Sequence, residues 1–128
     1  MKQFATLRTG ELVPVHIFRR THTTLGNLVH VLFTRIAASQ GMSVRNVRAY
    51  LAVITGRADM VEVFGRRMPV AWSTGLGAMN TTEFGAFVVD ALEAIRDEVL
   101  PRLALTDRAE VMLLMDKVAN ELDASSRT

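Results

Sequence analysis

The sequence predicts a mainly helical α+β protein with about four helices, N-terminal strands and a β-hairpin after the second helix. Three observations support this fold class. Four segments repeat apolar residues at spacings of three and four, which is typical of helices with one buried face. Residues 60–72 instead alternate apolar and polar side chains around a turn-like glycine, as paired strands do. A chain of 128 residues fits one domain with a single core.

Charge divides this single domain, residues 1–128, into parts of opposite sign. Residues 1–80 include ten basic and three acidic residues, whereas residues 81–128 include five basic and ten acidic residues. We therefore distinguish a basic part at 1–72, a glycine-containing linker at 73–81 and an acidic helical pair at 82–123. Such asymmetry indicates a polyanion-binding face in the basic part. Nine of its ten basic residues are arginines, which suit phosphates and guanine edges, although a GC-rich genome also favours arginine.

The N-terminal residues are predicted to be extended. Two segments, 3–8 and 11–19, flank a Thr-Gly pair, and the second combines β-branched residues with one proline, as edge strands do. A basic connection follows, in which Thr23 or Thr24 is placed to cap a helix that begins at Leu25. An apolar stripe of about four turns indicates that one side of this helix is buried.

The second helix has clear boundary signals. Gly41 can adopt the left-handed conformation that ends the first helix. Ser43 is an N-cap residue for the second, and Gly56 is placed to end it. The predicted β-hairpin at 60–72 follows, with Gly65-Arg66-Arg67 as its turn. Four apolar residues form the expected buried face of the second helix: Val44, Val47, Leu51 and Ile54.

Two further helices are predicted at 82–100 and 106–122. Thr81 or Thr82 is expected to cap the first, Pro101 to stop it, and Thr106 to cap the second. On the last helix, Met112 and Leu113 widen the apolar stripe beyond one face. Because excess apolar width indicates a partner, we expect a homodimer held through helices 82–100 and 106–122.

The stretch IAASQGMSVRNVRAYL resembles the helix-turn-helix of bacterial and phage DNA-binding proteins. In that family a small residue lies four positions before the turn glycine, as Ala37 does before Gly41. Apolar residues follow the glycine at once and six positions later, as Met42 and Val47 do here. A further apolar residue is usual three positions on, where Tyr50 stands. The hairpin that comes next resembles the wing of winged-helix proteins.

The resemblance implies a sequence-specific protein that binds double-stranded DNA, such as a small transcriptional regulator of bacterial, phage or mobile-element origin. The second helix would enter the major groove and present its N-terminal residues to base edges. Arginines on the first helix, before it and on the wing would contact phosphates or the minor groove. The implied DNA-binding residues are Ser43, Arg45, Asn46 and Arg48, with Val44 and Ala49 beside them, and Arg35, Arg19, Arg20, Arg66 and Arg67.

Other classes of function lack motifs in this sequence. There is no cysteine, the three histidines lack metal-ligand spacing, and STGLG has neither phosphate-loop nor dinucleotide spacing. We therefore expect no enzyme activity, no metal, no cofactor and no small-molecule ligand. Neither a signal peptide nor an apolar run of membrane-spanning length is present. We therefore expect a cytoplasmic location and no membrane association.

Two alternatives remain open. The helix-turn-helix match is also compatible with an ordinary helical hairpin whose arginines form a solvated face. In that case the chain would be a non-enzymatic interaction or assembly module that docks a protein partner through its C-terminal helices.

Overall fold

The structure is a computed structural model that describes residues 12–75 and 77–126, with side chains described over 24–75 and 77–124. Four α-helices and one two-stranded antiparallel sheet follow in order, which confirms the predicted mainly helical α+β class. None of the described helices combines the length and apolarity needed to cross a bilayer. The elements are α1 (Leu12–Gln40), α2 (Val44–Ile54), β1 (Ala58–Val63), β2 (Arg66–Ala71), α3 (Thr81–Ala94) and α4 (Leu105–Ser126).

Helix α1 begins earlier than the sequence indicated. The prediction of a strand over 11–19 is wrong, because the helix starts at Leu12, and neither Thr23 nor Thr24 caps it. Pro14 falls in its first turn, where the missing N–H of proline costs no helical hydrogen bond. Once the buried turns from Leu25 onward are helical, each preceding residue adds a backbone hydrogen bond at little further cost, which outweighs β-propensity. The predicted segment 3–8 lies outside the described residues.

The turn between α1 and α2 has the predicted geometry. Gly41 has a φ of +64°. The N–H of Met42 donates to the carbonyl of Ala37 over 3.0 Å, which closes α1 in a Schellman motif. Ser43 caps α2, because its hydroxyl oxygen accepts from the N–H of Asn46. Helix α2 therefore begins and ends where its boundary signals predicted.

Strands β1 and β2 form the predicted hairpin, but its turn lies one residue earlier than expected. Phe64 and Gly65, here called the hairpin tip, join the strands, with φ angles of 52° and 76°. Two positive φ values in a two-residue connection are the pattern of a type I′ turn. Arg66 and Arg67 therefore begin β2 instead of forming the turn. A phenylalanine in the left-handed region costs about 1–2 kcal/mol, which glycine avoids.

The C-terminal helices are capped differently from the prediction. Asn80, not Thr81 or Thr82, caps α3: its side chain accepts from the N–H of Glu83, whose carboxylate accepts from the N–H of Asn80. Helix α3 continues into a π-helical turn (Ile95–Val99) and a 3₁₀ turn (Leu100–Arg102), because Pro101 has no N–H to extend the α-helical pattern. Helix α4 begins at Leu105, so Thr106 lies inside its first turn.

One cluster of buried side chains joins all four helices. Phe33 of α1, Leu51 of α2, Phe87 of α3 and Val111 of α4 are each at most 1 % exposed within it. The rings of Phe33 and Phe87 meet edge to face, with centroids 6.3 Å apart. The basic part and the acidic helical pair thus share a single core.

We predict that Gly41→Ala lowers the free energy of unfolding by about 1–2 kcal/mol, because alanine is strained at a positive φ. No neighbouring atom crowds the added methyl group, so φ alone sets the cost. Gly75→Ala is the matched control, since Gly75 is equally uncrowded and has no positive φ. Urea denaturation followed by circular dichroism measures both. Equal stabilities of the two variants would contradict the strained-turn explanation.

Candidate nucleic-acid interface

The first turn of α2 presents two polar side chains to solvent. Arg45 and Asn46 are exposed, while Val47 is 3 % exposed and packs into the core. Ser43 is also exposed, but its hydroxyl is used as the N-cap. The amphipathic spacing of α2 therefore buries one side of the helix and leaves Arg45 and Asn46 available at its N-terminal end.

Arg48 is directed into the protein. Its guanidinium donates to the carbonyl of Thr74 over 2.6 Å and lies 5.2 Å from the ring centroid of Phe33. Burial lowers the pKa of Arg48 below its ordinary value. This hydrogen bond joins α2 to the segment between β2 and α3, in which Thr74 is only 9 % exposed. Among the implied base-reading residues, Arg48 thus has an intramolecular role.

Arg35 also has partners within the chain. Its guanidinium donates to Asp107 over 2.5 Å and to Glu110 over 2.6 Å, which ties α1 to the first turns of α4. The hydrogen bond that Arg35 donates to Asp107, and after it the one to Glu110, raise the pKa of Arg35. These two carboxylates therefore offset the positive charge of Arg35, which the helix-turn-helix resemblance implies for phosphate contact.

The hairpin carries two exposed arginines beside an exposed aromatic tip. Arg66 and Arg67 are exposed at the start of β2, opposite Val63 and Glu62 respectively. Phe64 at the hairpin tip is 100 % exposed. Neighbouring apolar residues are exposed as well, which gives the hairpin an amphiphilic surface. They are Met60, Val63, Met68, Val70 and Trp72.

An acidic groove borders the other end of α2. Tyr50 and Ile54 form one wall of this groove, and α3 with its π-helical continuation forms the other. Carboxylates repel phosphates, so a DNA backbone is disfavoured along this side of α2. The N-terminal turn and the hairpin remain open to a polyanion. The acidic residues that line the groove are Asp90, Glu93, Asp97 and Glu98.

One basic residue near α2 is not among those that the sequence motif implies. Arg102 lies in the acidic half of the chain, yet it lines a recess together with Gln40, Met42 and Asn46, and Glu98 lines the same recess. It is exposed, and its Nε donates to the carbonyl of Glu98 over 3.0 Å. No local motif reveals this position, because Arg102 meets α2 only through the packing of the folded chain.

The remaining predicted cations belong to α1. Arg19 and Arg20 lie within that helix, not in a loop before it, and their side chains lie outside the described ones. Among the described residues, no group of three or more histidines, aspartates or glutamates is close enough to hold a metal ion.

Comparisons with protein-family models, with curated protein sequences and with solved structures find no match to this chain.

We predict that Arg48→Ala lowers the free energy of unfolding by about 2 kcal/mol, because it removes a charged hydrogen bond and a cation–π contact. Arg45→Ala is the matched control, because this exposed arginine lies on the same helix, and its removal is expected to change stability by less than about 0.5 kcal/mol. Thermal and urea unfolding of both variants measure the difference. A neutral Arg48→Ala would mean that its contacts contribute little to folding.

Proposed function

We propose that this protein binds double-stranded DNA through the N-terminal turn of α2 and the hairpin, and that it acts as a small transcriptional regulator. The observation that carries the proposal is the exposure of Arg45 and Asn46 on a helix held by a tight, Schellman-closed turn. Helix-turn-helix proteins read bases from this position. Arginine pairs bidentately with guanine, and asparagine with adenine.

The hairpin supplies the second contact in this proposal. Arg66 and Arg67 are exposed next to its tip, where a wing would contact phosphates or the minor groove. Arg102 provides a further cation at the recess that Asn46 and Glu98 also line. Arg35 and Arg48 are assigned structural roles instead, because their guanidinium groups are held by Asp107, Glu110 and the carbonyl of Thr74. A cytoplasmic location, where a regulator would meet DNA, belongs to the same proposal.

Self-association through the C-terminal helices completes the proposal. Leu105, Ala109, Met112 and Leu113 form an exposed apolar stripe along one side of α4, here called the α4 stripe. Its largest members are markedly accessible: Leu105 is 78 % exposed and Leu113 is 63 % exposed. A second copy of the chain that packs on the α4 stripe would bury this surface and present two DNA-reading helices to a two-fold symmetric site.

A second candidate, the interaction module, rests on the same α4 stripe. In this case the stripe docks a different protein, and the exposed arginines remain solvated. A chain that is monomeric, binds no DNA at low salt and retains a protein partner after nuclease treatment would favour this candidate.

We expect wild-type protein to bind mixed-sequence duplex DNA with an affinity that falls as salt rises, because phosphate contacts release counterions. The double variant Arg66→Ala, Arg67→Ala should lower the slope of log K against log salt by about 2, roughly one per lost phosphate contact. Fluorescence anisotropy of a labelled duplex at several salt concentrations measures this slope.

The matched control is Arg96→Ala, Lys117→Ala, which removes two positive charges from exposed positions in the acidic half. This variant should bind DNA as the wild type does. Absence of wild-type binding at low salt would refute the proposal. Equal losses in both double variants would show that net charge, not this surface, governs binding.

We further predict that Leu113→Lys raises the dissociation constant of the dimer at least about tenfold, because a charge replaces an apolar side chain at the proposed contact. Val31→Lys is the control, since Val31 is 48 % exposed on α1 and outside the α4 stripe. Sedimentation equilibrium measures both. A wild-type chain that stays monomeric at high concentration contradicts the dimer.

A further inference from the structure

We propose that Phe64 is a wedge that inserts between base pairs and bends the bound duplex. This inference rests on the proposed DNA binding and deepens it, because it assigns a role to the apolar tip and not to the cations. Two features of Phe64 support it. Phe64 is 100 % exposed, so it contributes no packing to the fold, and its φ of 52° is unfavourable for a bulky side chain.

A residue that is both strained and unpacked gives the folded chain no stability. Asparagine or aspartate before Gly65 would form the same two-residue turn with less strain. Backbone strain of this kind is concentrated at functional sites, where the surrounding structure holds it in place. The six paired residues of each strand fix the tip at the end of the hairpin. The chain thus holds a fully exposed aromatic ring at the hairpin tip.

The residues around the Phe64 ring favour DNA as its binding partner. Arg66 and Arg67 follow the tip directly and are exposed, so two cations accompany the ring toward a partner. Glu62, opposite Arg67, is the one carboxylate among the paired residues nearest the tip. Apolar side chains carried by β-ribbons and other minor-groove binders enter base steps, partly unstack them and kink the duplex, while nearby arginines contact phosphates and the groove. An aromatic ring between two base pairs also regains the stacking that the step loses.

The test separates bending from binding. A 30-base-pair duplex with a donor and an acceptor dye at its ends reports bending, and anisotropy of the same duplex reports affinity. Wild-type protein should raise energy transfer, and it should bind a duplex with flexible TA steps several-fold more tightly than a rigid A-tract of equal length. Phe64→Asn should bind with the same salt dependence, but without the rise in energy transfer or the TA preference.

Phe64→Leu is the matched control, because leucine keeps an apolar wedge while asparagine removes it. This variant should retain part of the bending. The turn suits asparagine, so Phe64→Asn should unfold at the same temperature as wild type or above it, which excludes misfolding as a cause of lost bending.

Three outcomes would overturn the wedge. If wild-type protein binds with salt dependence but leaves energy transfer unchanged, the proposed function stands and the wedge fails. If Phe64→Asn bends DNA as wild type does, the ring is not what bends the duplex, and the wedge is wrong. If no DNA binds at all, both the proposed function and the wedge are wrong.

Discussion

The edge-to-face pair of Phe33 and Phe87 is the contact on which the rest of the fold depends. It joins α1 to α3 at the centre of the core, and an arginine packs on each ring. Arg48 covers Phe33 from α2, and Arg57 covers Phe87 from the residue just before β1. The cationic groups sit at the rim of the core, where their stems add apolar contact and their charges find a carbonyl or a carboxylate. Through these two arginines, the aromatic pair fixes both α2 and the base of the hairpin.

This arrangement changes how the basic part of the chain should be understood. Arg35, Arg48 and Arg57 are each held within the fold, so the positive charge that the sequence concentrates in residues 1–80 is only partly available to a partner. The cations that remain exposed near α2 and the hairpin are Arg45, Arg66 and Arg67, and folding adds Arg102 to them. In the proposed DNA complex, specificity would rest on these few cations, because orientation, and not total charge, distinguishes one base from another.

Local signals were enough to predict α2 and the hairpin. Gly41, Ser43 and the alternation around Gly65 each act within a few residues, so their effects can be read from neighbouring positions. The start of α1 was not predictable in the same way, since β-branched residues at 11–19 were overridden by helix propagation. The partners of Arg35 lie more than 70 residues away, and nothing in its local sequence distinguishes it from a free arginine. The helix and the hairpin that carry the candidate site were therefore predictable, but which of their arginines have partners within the chain was not.

Arg57 also anchors the hairpin to the helical body of the protein. Its guanidinium is fixed to Asp90 over 3.0 Å, while its carbonyl accepts from the N–H of Trp72 over 2.9 Å, so one residue fastens both strands at their base. Beyond this anchorage, strands of six residues run roughly 20 Å to the tip, and most of their side chains are exposed. Because the tip lies far from this anchor, its position is sensitive to the orientation of the hairpin at Arg57. A change of about 10° in that orientation would displace the tip by roughly 3 Å, about one residue of strand rise. Small changes in the packing around Arg57 would thus be magnified at the tip.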